Sequence, residues 1–283
     1  MDQFIHHNGR IISIADASIP PTSAGLLYGW GVFTTLRVYR GAVFQLDKHW
    51  ERLIRHAEIA EIPVPLNLAE ARQTFAELVK ANSLDNGRAR VTVLKGEAGV
   101  WRMGSPRHSD LLIFTSHEEP RSASPIAITI SPYRVLSHGP LAGVKRTAML
   151  ENLLALEEAR ARGFAEAVMV NERGEIAGAT AANIFWTEGS EIYTPSLGTG
   201  CVAGITRSLV HEIAERAHVH VVEGGFPIQR LLDAGDVFLT STGRGIAAVS
   251  SFDVKQYNLG QARLTRLITR EFQKMIRNAR ITA

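Results

Sequence analysis

The sequence is short of cysteine and of long apolar runs, and each shortage excludes something. Its one cysteine, Cys201, cannot close an internal disulfide and has no second thiol with which to share a metal. That fits a reducing compartment, and Cys201 itself reads as incidental to any chemistry. No apolar run is long enough to cross a bilayer, and the start, Met1-Asp2-Gln3-Phe4-Ile5-His6-His7, lacks the charged-then-apolar order of a secretory signal. The expected location is the cytoplasm. Charge of one sign is also lacking: Lys and Arg number 31 against 28 Asp and Glu, a formal net charge of +3, with the cations scattered along the chain. Nucleic acid is therefore not the expected partner. The ten histidines show no metal-ligand spacing, and His6-His7 reads as a polar strand end.

What is present is an ordinary globular composition, 45% apolar and 21% charged, which excludes wholesale disorder, a coiled coil and a collagen-like chain. At about 150 residues per domain, the length of 283 residues suggests one or two domains with a sizeable core. Internal repeats and low-complexity tracts are not evident.

Phe4-Ile5 and Ile11–Ile14 flank the turn Asn8-Gly9, and Val32–Tyr39 and Ala42–Gln45 flank Arg40-Gly41, so both pairs read as hairpins. A helix is expected from about Asp47, with Trp50, Leu53, Ile54 and Ala57 on one face, and Asn67 can cap another running to about Ala81. Ala89–Leu94 and Leu111–Ser116 look like strands. The polar, proline-bounded stretch around Pro120 and Pro125 reads as a linker. The expected division is a small α+β domain over 1–118, a linker over 119–125 and a larger α/β domain over 126–283. In the larger domain, strands are expected at Ile126–Ser131, Ala167–Asn171, Ile184–Trp186, Glu191–Tyr193, Val219–Val222 and Val237–Leu239. Helices fit Met149–Arg162, Ile205–Ala217 and Leu259–Asn278.

Three places could carry chemistry. Lys145, in Leu141-Ala142-Gly143-Val144-Lys145, has small apolar neighbours that suit a desolvated, nucleophilic amine, although a surface lysine before a helix has the same local pattern. Gly204-Ile205-Thr206-Arg207 opens a helix, where free N–H groups and the macrodipole favour a phosphate; an ordinary helix start would read alike. Ser241-Thr242-Gly243, after a strand, is a second turn able to cradle an anion.

Their order is more specific than any one of them. Tyr28-Gly29-x-Gly31-Val32-Phe33, His49-x-x-Arg52-Leu53 and Gly143-Val144-Lys145 are followed by Gly163-Phe164-Ala165-Glu166-Ala167 and Ala181-Ala182-Asn183-Ile184-Phe185-Trp186. Tyr193-Thr194-Pro195, Gly204-Ile205-Thr206-Arg207 and Phe238-Leu239-Thr240 complete the series. Over nearly the whole chain this order resembles the fold-type IV pyridoxal-phosphate enzymes, the class-IV aminotransferase family. The resemblance implies a D-amino-acid aminotransferase-like fold, pyridoxal 5'-phosphate as cofactor, an amino-acid-like small-molecule substrate and a homodimer. Lys145 would be the cofactor's covalent anchor and its general acid/base. Arg52 would hold the phosphate with Ile205, Thr206, Ser241 and Thr242, although an exposed helical arginine is the alternative for Arg52.

Within the family, Phe33-Thr34-Thr35-Leu36-Arg37 is similar to the aminodeoxychorismate lyases, where the second threonine, here Thr35, is implicated in elimination. Leu150 also fits that branch, since branched-chain aminotransferases place a tyrosine there. The expected activity is conversion of 4-amino-4-deoxychorismate to p-aminobenzoate and pyruvate, a step of folate biosynthesis. The alternatives are an aminotransferase of D- or branched-chain amino acids and a cofactor-binding relative without turnover. Tyr28, Arg102 and Arg244 are candidate substrate contacts, with Arg37, Arg134 and His138 behind them.

Two positions depart from the family pattern. Trp30 stands where an aspartate is usual, and Gly178 stands where a glutamate delivers its carboxylate to the pyridine nitrogen. Without that carboxylate the ring is a weaker electron sink, which penalises transamination more than elimination. On an extended strand Thr180 shares the side of Gly178, so Thr180 or a water is expected to face the nitrogen, while Glu175 has the wrong parity unless a bulge intervenes.

Overall fold

A computed structural model describes residues 2–96, 108–119 and 124–279. Its contacts separate two compact units. The first comprises the described parts of 1–120, the segment Val144–Ala148 and Ala279; the second comprises those of 121–143 and 149–278.

The first unit is one antiparallel sheet with helices. In chain order its elements are β1 (Phe4–His7), β2 (Arg10–Ser13), α1 (Ala24–Tyr28), β3 (Gly31–Tyr39), β4 (Ala42–Val43), α2 (Leu46–Ile59), α3 (Leu68–Ala81), β5 (Gly87–Lys95) and β6 (Ser109–His117). The strand order is β2-β1-β6-β5-β3-β4. Both expected hairpins form, with Asn8 and Gly9, and Arg40 and Gly41, at positive φ. Asn67 caps α3 through a capping box, in which its Oδ1 accepts from Glu70 N at 3.0 Å and Glu70 Oε2 accepts from Asn67 N at 2.7 Å.

Side chains alternate along β3. Val32, Leu36 and Val38 join Trp50 and Leu53 of α2 and Phe75 and Leu78 of α3 in the core, while Phe33, Thr35 and Arg37 belong to the opposite face. Burial of Leu36, Leu53, Phe75 and Leu78, each at most 1% exposed, contributes about 1.5–3 kcal/mol apiece. The buried stripe of α2 is wider than its apolar residues: His49, Arg52 and His56, spaced three or four residues apart, are buried beside Trp50, Leu53 and Ala57.

The second unit holds β7 (Ile126–Val135), α4 (Leu150–Ala161), β8 (Glu166–Asn171), β9 (Ile176–Ala179), β10 (Asn183–Glu188), β11 (Glu191–Pro195) and α5 (Ile205–Arg216). After these come β12 (Val221–Gly224), α6 (Gln229–Asp233), β13 (Asp236–Ser241), β14 (Gly245–Phe252), β15 (Lys255–Gln256) and α7 (Arg263–Arg277). Its mixed sheet runs β12-β11-β10-β13-β14-β7-β8-β9, with β15 beside β14. The pairs β11–β12, β14–β7 and β7–β8 are parallel.

Several elements differ from the sequence expectations. The last helix begins at Arg263, not Leu259, because Arg266 Nη1 donates back to the carbonyls of Leu259 and Gly260 at 3.0 and 2.7 Å and holds that stretch as a turn. The strand expected at Val219 starts at Val221. β9 and β14 were not expected: Ile176-Ala177-Gly178-Ala179 and Gly245–Ser251 are rich in small residues of low strand propensity, and burial in the sheet decides their conformation. Val144–Ala148 falls beyond residue 126 yet belongs with the first unit, where it pairs with β3. Among the described residues no helix is long and apolar enough to cross a membrane.

Candidate active site

In the first unit the chain from Val144 to Ala148 is laid against β3. Arg146 bridges Val32, Phe33 N donates to Lys145 O at 3.1 Å and Thr147 N donates to Gly31 O at 2.9 Å. This pairing leaves Lys145 half-buried, with its amine desolvated. Its Nζ lies 4.3 Å from the centroid of the Phe33 ring. Burial, then the charges of Arg52 and Arg90, lower its pKa from 10.5 to about 7.

Arg52 is 5% exposed, and its Nη2 donates to Thr34 Oγ1 at 3.0 Å; Thr34 Oγ1 is also 2.8 Å from His49 Nδ1. Burial, with Arg55 second, lowers the Arg52 pKa to about 10. His49 is pushed well down by burial and by the cations Arg52 and Lys145, which keeps it neutral. The charges that lower the pKa values of Lys145, Arg52 and His49 are those of neighbouring cations. A buried cluster of this kind is chemically suited to an anion.

Thr35, half-buried on the opposite face of β3 from Thr34, is the register partner of Arg90 on β5. The Arg90 guanidinium lies 3.7 Å from the Phe33 ring centroid, and its Nε donates to Thr92 Oγ1 at 3.2 Å. Lys145 and Arg90 therefore both lie against one phenylalanine ring, with Thr35 the register partner of Arg90. Sequence reasoning missed Arg90; the signal available was its alternation with Arg88 and Thr92 along β5. Arg37, one of the weaker candidates, is buried against Glu118, which it reaches at 3.0 Å. Tyr28 is 44% exposed at the end of α1. Arg102 lies outside the described residues.

Trp30 acquires a local role. Its Nε1 donates to the carbonyl of Ala60 at 2.8 Å, satisfying the C-cap of α2, and Lys95 Nζ sits 3.7 Å from its ring centroid. The indole therefore braces the helix that carries Arg52.

In the second unit, Asn183 gathers the remaining positions. Its Nδ2 donates to Val202 O at 2.8 Å, and its Oδ1 lies so close to Gly204 that a Cβ there would meet it at 2.0 Å. Glycine is required at that approach, and it delivers Ile205 and Thr206 to the start of α5, where no side chain caps the helix. Asn183 is also the register partner of Thr240 on β13, next to Ser241 and Thr242. Ser241 Oγ accepts from Arg244 N at 3.2 Å, and the Arg244 side chain is exposed. Arg134 donates to Asn171 O at 2.9 Å and His138 lies 2.9 Å from Arg173 Nη1, so both belong to a separate polar network.

The expectation for Thr180 is corrected. β9 stops at Ala179 and the chain bends back, with Ala179 N donating to Ala182 O at 2.8 Å, so alternation does not extend to Thr180. The Thr180 hydroxyl donates to the buried carboxylate of Glu166, and its backbone N–H reaches the same oxygen at 3.1 Å. A bulge does interrupt the β8–β9 pairing, but Glu175 is bound to Arg173 at 2.6 Å and to Asn171 at 2.8 Å.

Gly178 has φ +134°, and a Cβ there would lie 3.2 Å from Ala182 O. Gly178→Glu is therefore expected to destabilise the chain by about 1–3 kcal/mol, whatever its carboxylate does for the chemistry. A thermal melt should register a drop of several degrees; an unchanged melting temperature would show that this strand relaxes freely.

The amino-transferase class IV family model matches residues 31–252, most of the chain. The chain belongs to this family. Aminodeoxychorismate lyase of Bacillus subtilis (strain 168) is 29% identical over 280 residues, covering 97% of this chain and 95% of the relative. D-alanine aminotransferase of Bacillus licheniformis is 28% identical over 253 residues, covering 87% of each. The solved branched-chain amino acid aminotransferase of T.th. with pyridoxamine 5'-phosphate superposes with a TM-score of 0.91 at 22% identity, covering 99% of this chain and 96% of that one. The class IV fold is the D-amino-acid aminotransferase-like, fold-type IV architecture. Relatives of both lyase and aminotransferase name thus align along most of the chain.

Proposed function

We propose that this enzyme uses pyridoxal 5'-phosphate to convert 4-amino-4-deoxychorismate into p-aminobenzoate and pyruvate, acting as a cytoplasmic homodimer. The observation that carries the reading is that the Lys145 amine and the Arg90 guanidinium both lie against the Phe33 ring, with Arg90 in register opposite Thr35. This arrangement offers a hydroxyl for elimination, a cation for a carboxylate and a base that is about half neutral near pH 7.

The residues fit the cofactor. Lys145 is a half-buried, desolvated amine with the nucleophilicity to anchor an aldehyde, and Arg52 belongs to a cation cluster suited to a phosphate. In the second unit, Ile205, Thr206, Ser241 and Thr242 carry N–H and hydroxyl donors of the kind a phosphate takes. When bound, pyridoxal phosphate supplies an aldehyde, which condenses with an amine and releases water, and a ring that accepts electrons. Lys145 would take the proton from the amine-bearing ring carbon of the substrate. Thr35 would donate to the departing three-carbon unit, and Arg90 would hold a substrate carboxylate. Gly178 brings no carboxylate to the cofactor position. That favours elimination driven by formation of an aromatic ring over a reaction that relies on the cofactor as electron sink. For the homodimer, the support is α4, whose Leu150, Leu153 and Leu154 are each more than 50% exposed.

The test is p-aminobenzoate release from enzymatically generated aminodeoxychorismate by the cofactor-loaded protein. The expected result is product from the native protein and about 10²-fold less from Thr35→Val with unchanged cofactor affinity. Absence of product, together with donor-driven conversion of the cofactor to its pyridoxamine form, would move the reading to an aminotransferase.

A further inference from the structure

The Lys145 carbonyl is satisfied by Phe33 N, but the bridge to β3 makes no use of the Lys145 N–H. That donor goes to a side chain: His56 Nδ1 accepts it at 3.0 Å. His56 is 5% exposed and stands four residues after Arg52, one turn along the same buried stripe of α2. We propose that His56 is a positioning residue for Lys145, gripping its backbone amide from α2 and so holding the lysine in fixed relation to Arg52. The proposal deepens the reading of Lys145 as the cofactor's anchor, and the importance of His56 to function rests on that reading.

The chemistry of the ring supports an acceptor role. A neutral imidazole accepts at one nitrogen and donates at the other, so acceptance at Nδ1 fixes the proton on Nε2. Burial first, then the cations Arg52, Arg55 and Lys145, lower the His56 pKa to about 4, so the ring stays neutral above that value. These groups come from α2 itself and from the lysine segment packed against it. Protonation would set an N–H against the Lys145 N–H and add a charge to an already cationic cluster. A backbone donor buried without its acceptor is costly, which gives the contact its grip.

A cofactor anchored at its aldehyde and bound at its phosphate needs the amine and the phosphate-binding cation at a set separation. Arg52 and the His56–Lys145 contact start from the same face of one rigid helix, so the helix itself supplies that ruler. The sequence gives no hint of this, because residue 56 lies 89 positions from its partner.

The experiment compares native protein with His56→Leu, His56→Asn and His56→Gln in cofactor-free form. It follows hydrogen exchange of the Lys145 amide and the rate at which phosphate-free pyridoxal forms an adduct at Lys145. His56→Leu should speed the exchange and slow the adduct, each by about tenfold. Asn carries Oδ1 at the branch position of Nδ1 and should restore both; Gln carries its oxygen one bond further out and should not. Unchanged exchange in His56→Leu, or rescue by Gln equal to that by Asn, would overturn the proposal. Should His56→Leu fail to fold, ¹⁵N shifts of the native ring decide the matter. An unprotonated Nδ1 supports the contact, and a protonated one overturns it. If exchange depends on His56 as expected but pyridoxal phosphate never becomes fixed at Lys145, the contact stands and the functional reading fails.

Discussion

Lys145→Met is expected to release no measurable p-aminobenzoate and to take up no covalently fixed cofactor, a loss in turnover on the order of 10³-fold or more. One substitution removes both the nucleophile and the acid/base group. The physical basis is desolvation of the amine beside the cations Arg52 and Arg90. Near pH 7 about half of the Lys145 population is neutral, against on the order of one in several thousand for an exposed lysine. The same desolvation predicts an opposite effect on stability. The folded pKa is depressed, so between about pH 7 and 10.5 the unfolded chain binds more protons than the folded one, and stability rises with pH across that window. Cofactor-free Lys145→Met should therefore be more stable than the native chain at pH 7 and below, by on the order of a few kcal/mol, with the gap closing toward pH 10.5. Denaturant unfolding across that range checks it. A constant gap would mean that the amine is solvated, and the account of its reactivity would fall with it.

Much of this fold is legible in the sequence because its signals are local. The Asn8-Gly9 and Arg40-Gly41 turns, the Asn67 cap and the period of Trp50, Leu53 and Ala57 each lie within a few residues, and each corresponds to an element that forms. β14 was not legible, because Ala247, Ala248, Ser250 and Ser251 become a strand only through β13 and β7 on either side. The candidate site divides along the same line. Lys145 and Arg52 are marked by motif order, and Thr35 by the Phe33–Arg37 stretch. Arg90 becomes notable only when the β3–β5 register sets it opposite Thr35, and Arg37 is disqualified only by meeting Glu118, 81 residues away. Thr180 shows the limit of period-two reasoning: one bend after Ala179 turned its hydroxyl onto Glu166.

Arg52→Leu is expected to weaken pyridoxal phosphate binding by about 10- to 100-fold while leaving phosphate-free pyridoxal nearly unaffected. A charge-assisted hydrogen bond to phosphate contributes about 1.5–3 kcal/mol, and the variant loses it without disturbing the ring's other contacts. Leucine also spares the fold, since it leaves an apolar group in a position that is 5% exposed. Arg52 is the leading charge lowering the Lys145 pKa after burial itself, so its removal should raise that pKa and shift the pH profile of adduct formation upward. Thr34→Val separates the two effects. It keeps the guanidinium charge but removes the hydroxyl that takes the Arg52 Nη2 donor and meets His49 Nδ1. The valine variant should lose phosphate affinity through misplacement of Arg52, with a much smaller shift in the profile. Spectrophotometric titration with the two aldehydes measures both quantities. Equal losses for pyridoxal and pyridoxal phosphate in Arg52→Leu would show that Arg52 supports the fold of α2 and not the phosphate.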